Sequence, residues 1–175
     1  LWAVDAVGIT NDEQYLKVLG QKFTPPIEPI AELYPASRFA EAKDPYRAAV
    51  SRAVGDANLV CATYDVAVRA ANAGLTVRMY NFDISVDDVL GAAHSAEIVY
   101  VFGSAFVRSD TREVSNRMQA YWTNFAKTGD PNGGDLLAWP ALTKDSDTRI
   151  NFAQQSTLVN DFRSAECKFW RPRFD

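Results

Sequence analysis

The sequence predicts an α/β fold in which a mostly parallel sheet is flanked by helices. Residues 57–73 hold a helical pattern that Gly74 ends, and a β-branched and aromatic run, 75–82, follows at once. A long amphipathic pattern comes next and stops at Gly129, and a second β-like run begins at Arg149. Strands separated by helices pair in parallel, because a helical crossover is what carries the chain back to the starting end of the sheet.

The chain opens with a short β-like run over residues 4–9. Asn11 then offers a cap, while Asp12 and Glu13 put negative charge in the first turn of a helix, where the macrodipole favours it. Tyr15 to Leu19 continue that helix and Gly20 closes it. Residues 24–35 carry four of the eight prolines, which predicts an irregular connection with little regular structure. Asp44 before Pro45 is a cap with proline at the first helical position, and Tyr46, Ala49, Val50 and Ala53 recur at helical spacing up to Gly55. In the next helix Leu59, Ala62, Val66 and Ala70 are predicted to share one face.

After the strand at 75–82, residues 83–95 form a loop that holds the sole histidine, His94, and the apolar run 98–102 follows, ended by Gly103. Asp110 and Glu113 are spaced as a capping pair for a helix whose Val114, Met118, Trp122 and Phe125 fall about one turn apart; Gly129 and Pro131 stop it. Strands at 149–152 and 157–159 precede an aromatic segment, 167–174. The large aromatics Trp122, Phe125, Trp139 and Trp170 read as packing rather than as a ligand cage.

Composition removes several classes of function. With 47% hydrophobic and 23% charged residues the chain can bury a core, so a disordered reading fails. Net charge is −4 and no stripe of Lys or Arg exists, so nucleic acid has no phosphate-neutralising partner here. No apolar run approaches the ~20 residues needed to span a bilayer, and the basic start of a secretory leader is missing. The chain enters directly on the apolar run Leu1, Trp2, Ala3, Val4, which reads as a fragment starting in mid-domain. Two cysteines and one histidine cannot build a tetrahedral Cys/His zinc site, so no metal is expected. Cys61 and Cys167 are either two thiols or one disulfide, and their spacing leaves both open. No glycine pattern cradles phosphate, and no Gly-x-Ser-x-Gly elbow supplies a nucleophile.

What remains is a histidine and acidic residues near predicted strand ends, in the order acid then histidine that an α/β-hydrolase triad follows after its nucleophile. Gly8-Ile9-Thr10-Asn11-Asp12-Glu13 resembles the catalytic-acid segment of the type B carboxylesterases, the family that includes cholinesterases and microbial esterases and lipases. Gly91-Ala92-Ala93-His94-Ser95-Ala96-Glu97, running on to Gly103, is similar to that family's histidine segment. The stretch from Tyr121-Trp122-Thr123-Asn124 through Gly129-Asp130-Pro131-Asn132 to Trp139-Pro140 resembles its late helix and turn. The segments around Cys61 and Cys167 resemble two that are disulfide-linked in cholinesterase-type members. Gln14 stands where the family usually has glycine, and Ala62 where proline commonly follows the first cysteine.

The resemblance implies the C-terminal portion of an α/β-hydrolase domain over residues 1–175, with the N-terminal part of the fold outside this chain. It implies Glu13 as triad acid, His94 as triad base and a Cys61–Cys167 bridge, while the serine and oxyanion hole come from the N-terminal part of the same enzyme. No cofactor is required, and the partner is a small-molecule ester. Without the resemblance Glu13 reads as a helix-start carboxylate, and His94 equally as a solvated side chain or a proton shuttle. Glu97 is read as bracing the histidine loop by hydrogen bonding. The rival reading is a cholinesterase-like binding or adhesion module that has lost its serine. The disulfide implies a secreted or extracellular protein, and the lack of any Asn-x-Ser/Thr acceptor points to a microbial one.

Overall fold

The structure is a computed structural model that describes residues 8–87 and 91–174. Of the β-like run read over 4–9, residues 4–7 lie outside the described residues. The chain forms two compact units, one from residues 8–65 with 163–174 and the other from 66–162.

In the first unit α1 covers Asp12–Lys22. Asn11 caps it as the sequence predicts, its Oδ1 accepting from Gln14 N at 3.0 Å. Gly20 does not close the helix, which runs two residues further. A glycine inside a helix costs only ~1 kcal/mol, too little to end one whose Tyr15 and Leu19 are buried. The proline-rich connection also holds a short helix, α2, at Glu28–Leu33. Pro29 lies in its first turn, where the missing N–H would have had no partner, so proline content there did not mean irregularity. Asp44 caps α3, Pro45–Gly55, by accepting from Arg47 N at 3.0 Å.

Between α3 and α4 (Cys61–Asn72) lies one π-helical turn, Asp56–Val60. Its wider winding rotates the face that follows. Ala57, Cys61 and Ala67 are buried as a result, and Val66, placed in the sequence's shared stripe, is 66% exposed. The core of this unit joins Leu19, Tyr34, Val50 and Ala53 to Cys167 and Trp170 of α7, Ser164–Trp170.

The second unit is built on three short strands, β1 (Tyr80–Phe82), β2 (Arg149–Phe152) and β3 (Thr157–Val159), in that spatial order. β1 and β2 pair in parallel, with Tyr80 opposite Ile150 and Phe82 opposite Phe152. The crossover between them is helical: α6 at Arg112–Thr128 is the helix the sequence predicts, and the apolar run ended by Gly103 adds a short helix, α5, at Ile98–Val101. β2 and β3 run antiparallel, so this sheet is mixed. Only the last three residues of the predicted strand 75–82 join the ladder; further back, Val77 and Met79 carbonyls accept from Leu142 N and Ile150 N.

α6 ends where Gly129 adopts φ +77°, a left-handed cap that glycine enters without a Cβ clash. Its start differs from the sequence reading. Asp110 pairs with Arg108 instead of capping, and Thr111 occupies the cap without a side-chain bond. Its buried stripe is Val114, Ser115, Met118 and Tyr121, with Trp122 at the margin and Phe125 56% exposed.

The core of this unit is aromatic. Trp139 meets Tyr80, Tyr121, Trp122 and Phe152 at centroid distances of 5.5–6.0 Å, mostly edge to face. Its indole N–H donates to Met79 O at 2.8 Å, and Asn132 satisfies both its backbone N–H and its carbonyl. Among the described residues no helix is long and apolar enough to cross a membrane.

Candidate active site

Glu13 lies in the first turn of α1 and is exposed. The turn that presents it is tightly tied. Gly8 takes φ +86°, which favours glycine, and Gln14 Oε1 accepts from Thr10 N at 2.8 Å while Gln14 N donates to Asn11. Gln14, the departure from the family pattern, therefore acts as one half of a capping arrangement. The neighbouring Asp12 is engaged by the Tyr46 hydroxyl at 2.9 Å. Of the two adjacent carboxylates, Asp12 is thus held against α3 and Glu13 faces outward.

His94 is exposed on a turn in the second unit, and Glu97, half-buried, opens α5 three residues later. Burial first, and then the charge and hydrogen bonding of Glu97, push the Tyr80 phenol up to about 12. Sequence reasoning did not single out Tyr80 as the neighbour of Glu97; nothing in strand periodicity distinguishes a core tyrosine from one that reaches a loop carboxylate. Trp122, Phe125 and Trp139 also border an open cleft with Tyr80 and Arg78. Arg78 is held there by Asp130 at 3.1 Å and by Trp139 O at 3.1 Å.

Cys61 and Cys167 form a disulfide, their Cα atoms 4.8 Å apart. Around it lies a buried polar network. Trp170 Nε1 donates to Tyr34 Oη at 2.9 Å, and Tyr34 donates to Asp56 at 3.1 Å. Arg163 approaches Asp56 and Glu166 at 3.9 and 3.8 Å, and Arg38 pairs with Glu166. Burial raises the Asp56 carboxyl to about 6, although Arg52 and the Tyr34 hydroxyl pull the other way. None of Asp56, Glu166 or Tyr34 was singled out in the sequence, since a buried carboxylate leaves no periodic trace.

The structure therefore joins the two cysteines, leaves Glu13 on an ordered helix start in the first unit, and sets His94 on an ordered turn in the second. Among the described residues no group of three or more His, Cys, Asp or Glu is placed to hold a metal.

A parallel strand pair with a helical crossover, a histidine on the connection after β1 and a bridged pair of helices together define an α/β architecture. The comparison with known families makes that specific. The chain belongs to the carboxylesterase family, whose model matches residues 21–170, and that membership carries the α/β-hydrolase fold. His94, Glu97 and both cysteines fall within the matched span, while Glu13 precedes it.

Among curated relatives, the chain is 38% identical over 100 residues to carboxylesterase 4A of Bos taurus, covering 51% of this chain and 18% of the relative. It is 35% identical over 137 residues to acetylcholinesterase of Gallus gallus, covering 71% of this chain and 18% of that protein. Acetylcholinesterase-1 of Trittame loki is 30% identical over 141 residues, covering 74% of this chain and 25% of that protein. The chain thus spans a quarter or less of the length of these relatives.

Proposed function

We propose that this chain supplies the acid and the base of a Ser-His-Glu triad that hydrolyses carboxylic esters, and that both units are the C-terminal portion of one α/β-hydrolase domain. Upstream polypeptide supplies the serine and the oxyanion hole. The observation that carries this reading is family membership over residues 21–170, which includes the histidine segment; the segment 8–13 and its capped turn add the acid.

The serine hydroxyl attacks the ester carbonyl as His94 takes its proton, giving a tetrahedral intermediate whose oxyanion is held by backbone N–H groups upstream. Collapse expels the alkoxide, which leaves as the alcohol with the proton from His94. Water, deprotonated by the same imidazole, then cleaves the acyl-enzyme and releases the acid. Glu13 holds the ring in the tautomer that can accept a proton and stabilises its charged form. Glu97 braces the loop that carries the histidine. The bridge is compatible with secretion, which we include in the proposal.

The test is p-nitrophenyl ester hydrolysis by the full-length parent enzyme. His94→Ala is expected to lower kcat by about 10³-fold or more and Glu13→Gln by about 10²-fold or more. Equal rates in His94→Ala and the parent overturn the triad. A parent chain without serine at its elbow would instead favour the binding module.

A further inference from the structure

His94 sits in a run of overlapping hydrogen-bonded turns. Ala96 N donates to Ala93 O at 3.2 Å, Ile98 N to Ser95 O at 3.3 Å, and Val101 N to Glu97 O at 3.0 Å. Successive bonds overlap, so residues 93–101, with Ser95 in the left-handed region at φ +67°, form a chain of linked turns that leads into α5. What fixes α5 therefore fixes the turn that carries the imidazole.

Tyr100 is the buried residue of α5, and it is held on three sides. Its ring lies edge-on to Phe82 of β1, centroids 5.0 Å apart. Its hydroxyl shares a 3.0 Å hydrogen bond with Thr111 Oγ1. Its carbonyl accepts from Ser115 Oγ at 2.7 Å. A serine inside a helix commonly returns its hydroxyl to a carbonyl of its own helix. Ser115, fully buried on α6, reaches across to α5 instead. Gln119 Nε2 donates to Ser115 Oγ at 3.1 Å, which leaves the hydroxyl hydrogen directed at Tyr100 O. The same glutamine fills the space beside Gly103, where a Cβ would come within 2.7 Å of its Oε1.

We propose that Tyr100 and Ser115 are positioning residues for His94, a latch that clamps the histidine-bearing turns to β1 and α6. The proposal rests on the reading of His94 as the general base. A base must stand within hydrogen-bond reach of its proton donor, and a misplacement of ~1 Å costs on the order of 10²-fold in rate. Loosening the latch should therefore act on the chemical step and leave substrate binding nearly unchanged.

The test uses the full-length parent enzyme with Ser115→Ala, Tyr100→Phe and Thr111→Val. For Ser115→Ala, kcat on a p-nitrophenyl ester should fall roughly tenfold with KM within about twofold, and phosphonylation of the active serine by an organophosphate should slow by the same factor. Tyr100→Phe keeps the ring contact and should give a smaller fall of the same kind. If Ser115→Ala does not fold, Tyr100→Phe and Thr111→Val decide the matter alone. Wild-type kcat in all folded variants overturns the proposal, as does a raised KM at unchanged kcat. Full activity in His94→Ala sinks the triad and the latch together, whereas an inactive His94→Ala beside unimpaired latch variants sinks the latch alone.

Discussion

The two units, one carrying Glu13 and the other His94, are held together in different ways. The first is fastened by a covalent bridge and by a buried polar network, with Asp56 and Glu166 shared among tyrosine and arginine side chains. The second has no cysteine, and the ring cluster around Trp139 and the Tyr100 contacts do the same work with aromatic edges and neutral hydrogen bonds. The comparison teaches that chemistry of opposite kinds is sensitive to opposite conditions. Reductant and pH should act on the unit that presents Glu13, and loss of ring packing on the unit that presents His94.

The sharpest way to break this contrast is Trp139→Ala. Removing an indole that is 6% exposed leaves a cavity and takes one of two hydrogen bonds from the Met79 carbonyl, and should cost about 3–5 kcal/mol. Hydrogen exchange followed by mass spectrometry should show protection lost over 77–82 and 149–152 and kept over 45–65. Parallel loss in both regions would mean one shared cooperative core and would dissolve the comparison.

Next in size is the bridge. Cys61 and Cys167 are 106 residues apart, and the double change to alanine should cost about 3–4 kcal/mol, with protection lost over α7. Denaturant midpoints with and without dithiothreitol check this; a midpoint indifferent to reductant in the parent would show that the buried polar network alone holds α7.

The smallest effect concerns pH. The folded Asp56 carboxyl, at about 6, lies above its ordinary 3.8, so the folded state binds the extra proton between those values. Its contribution is fully present below about pH 4 and is lost as pH rises through about 6, a decline on the order of 2–3 kcal/mol. Asp56→Asn can still accept from Tyr34 and should flatten stability across that window in a pH series of unfolding curves. An unchanged slope would move the titration to another group.

Much of the fold was legible because single residues carry single physical meanings. Asn11, Asp44 and Gly129 mark helix ends through capping and left-handed backbone, and each does so in the structure. Legibility failed where a residue is tolerated rather than required. Pro29 is harmless in a first helical turn, Gly20 is affordable inside α1, and the π turn at Asp56–Val60 rotates a face that 3.6-residue periodicity alone had fixed. At the candidate site, Glu13, His94 and the cysteine pair came from segment resemblance. Tyr80, Tyr100 and Ser115 gave no such signal, because what distinguishes them is a partner distant in sequence.

The bridge has one more consequence. His94 lies between Cys61 and Cys167, so the span that carries it is a closed ring of polypeptide. A protease that cuts this ring once opens it without releasing either piece. Under oxidising conditions a chain built this way can be nicked on its surface turns and still keep its imidazole tethered to the rest of the molecule.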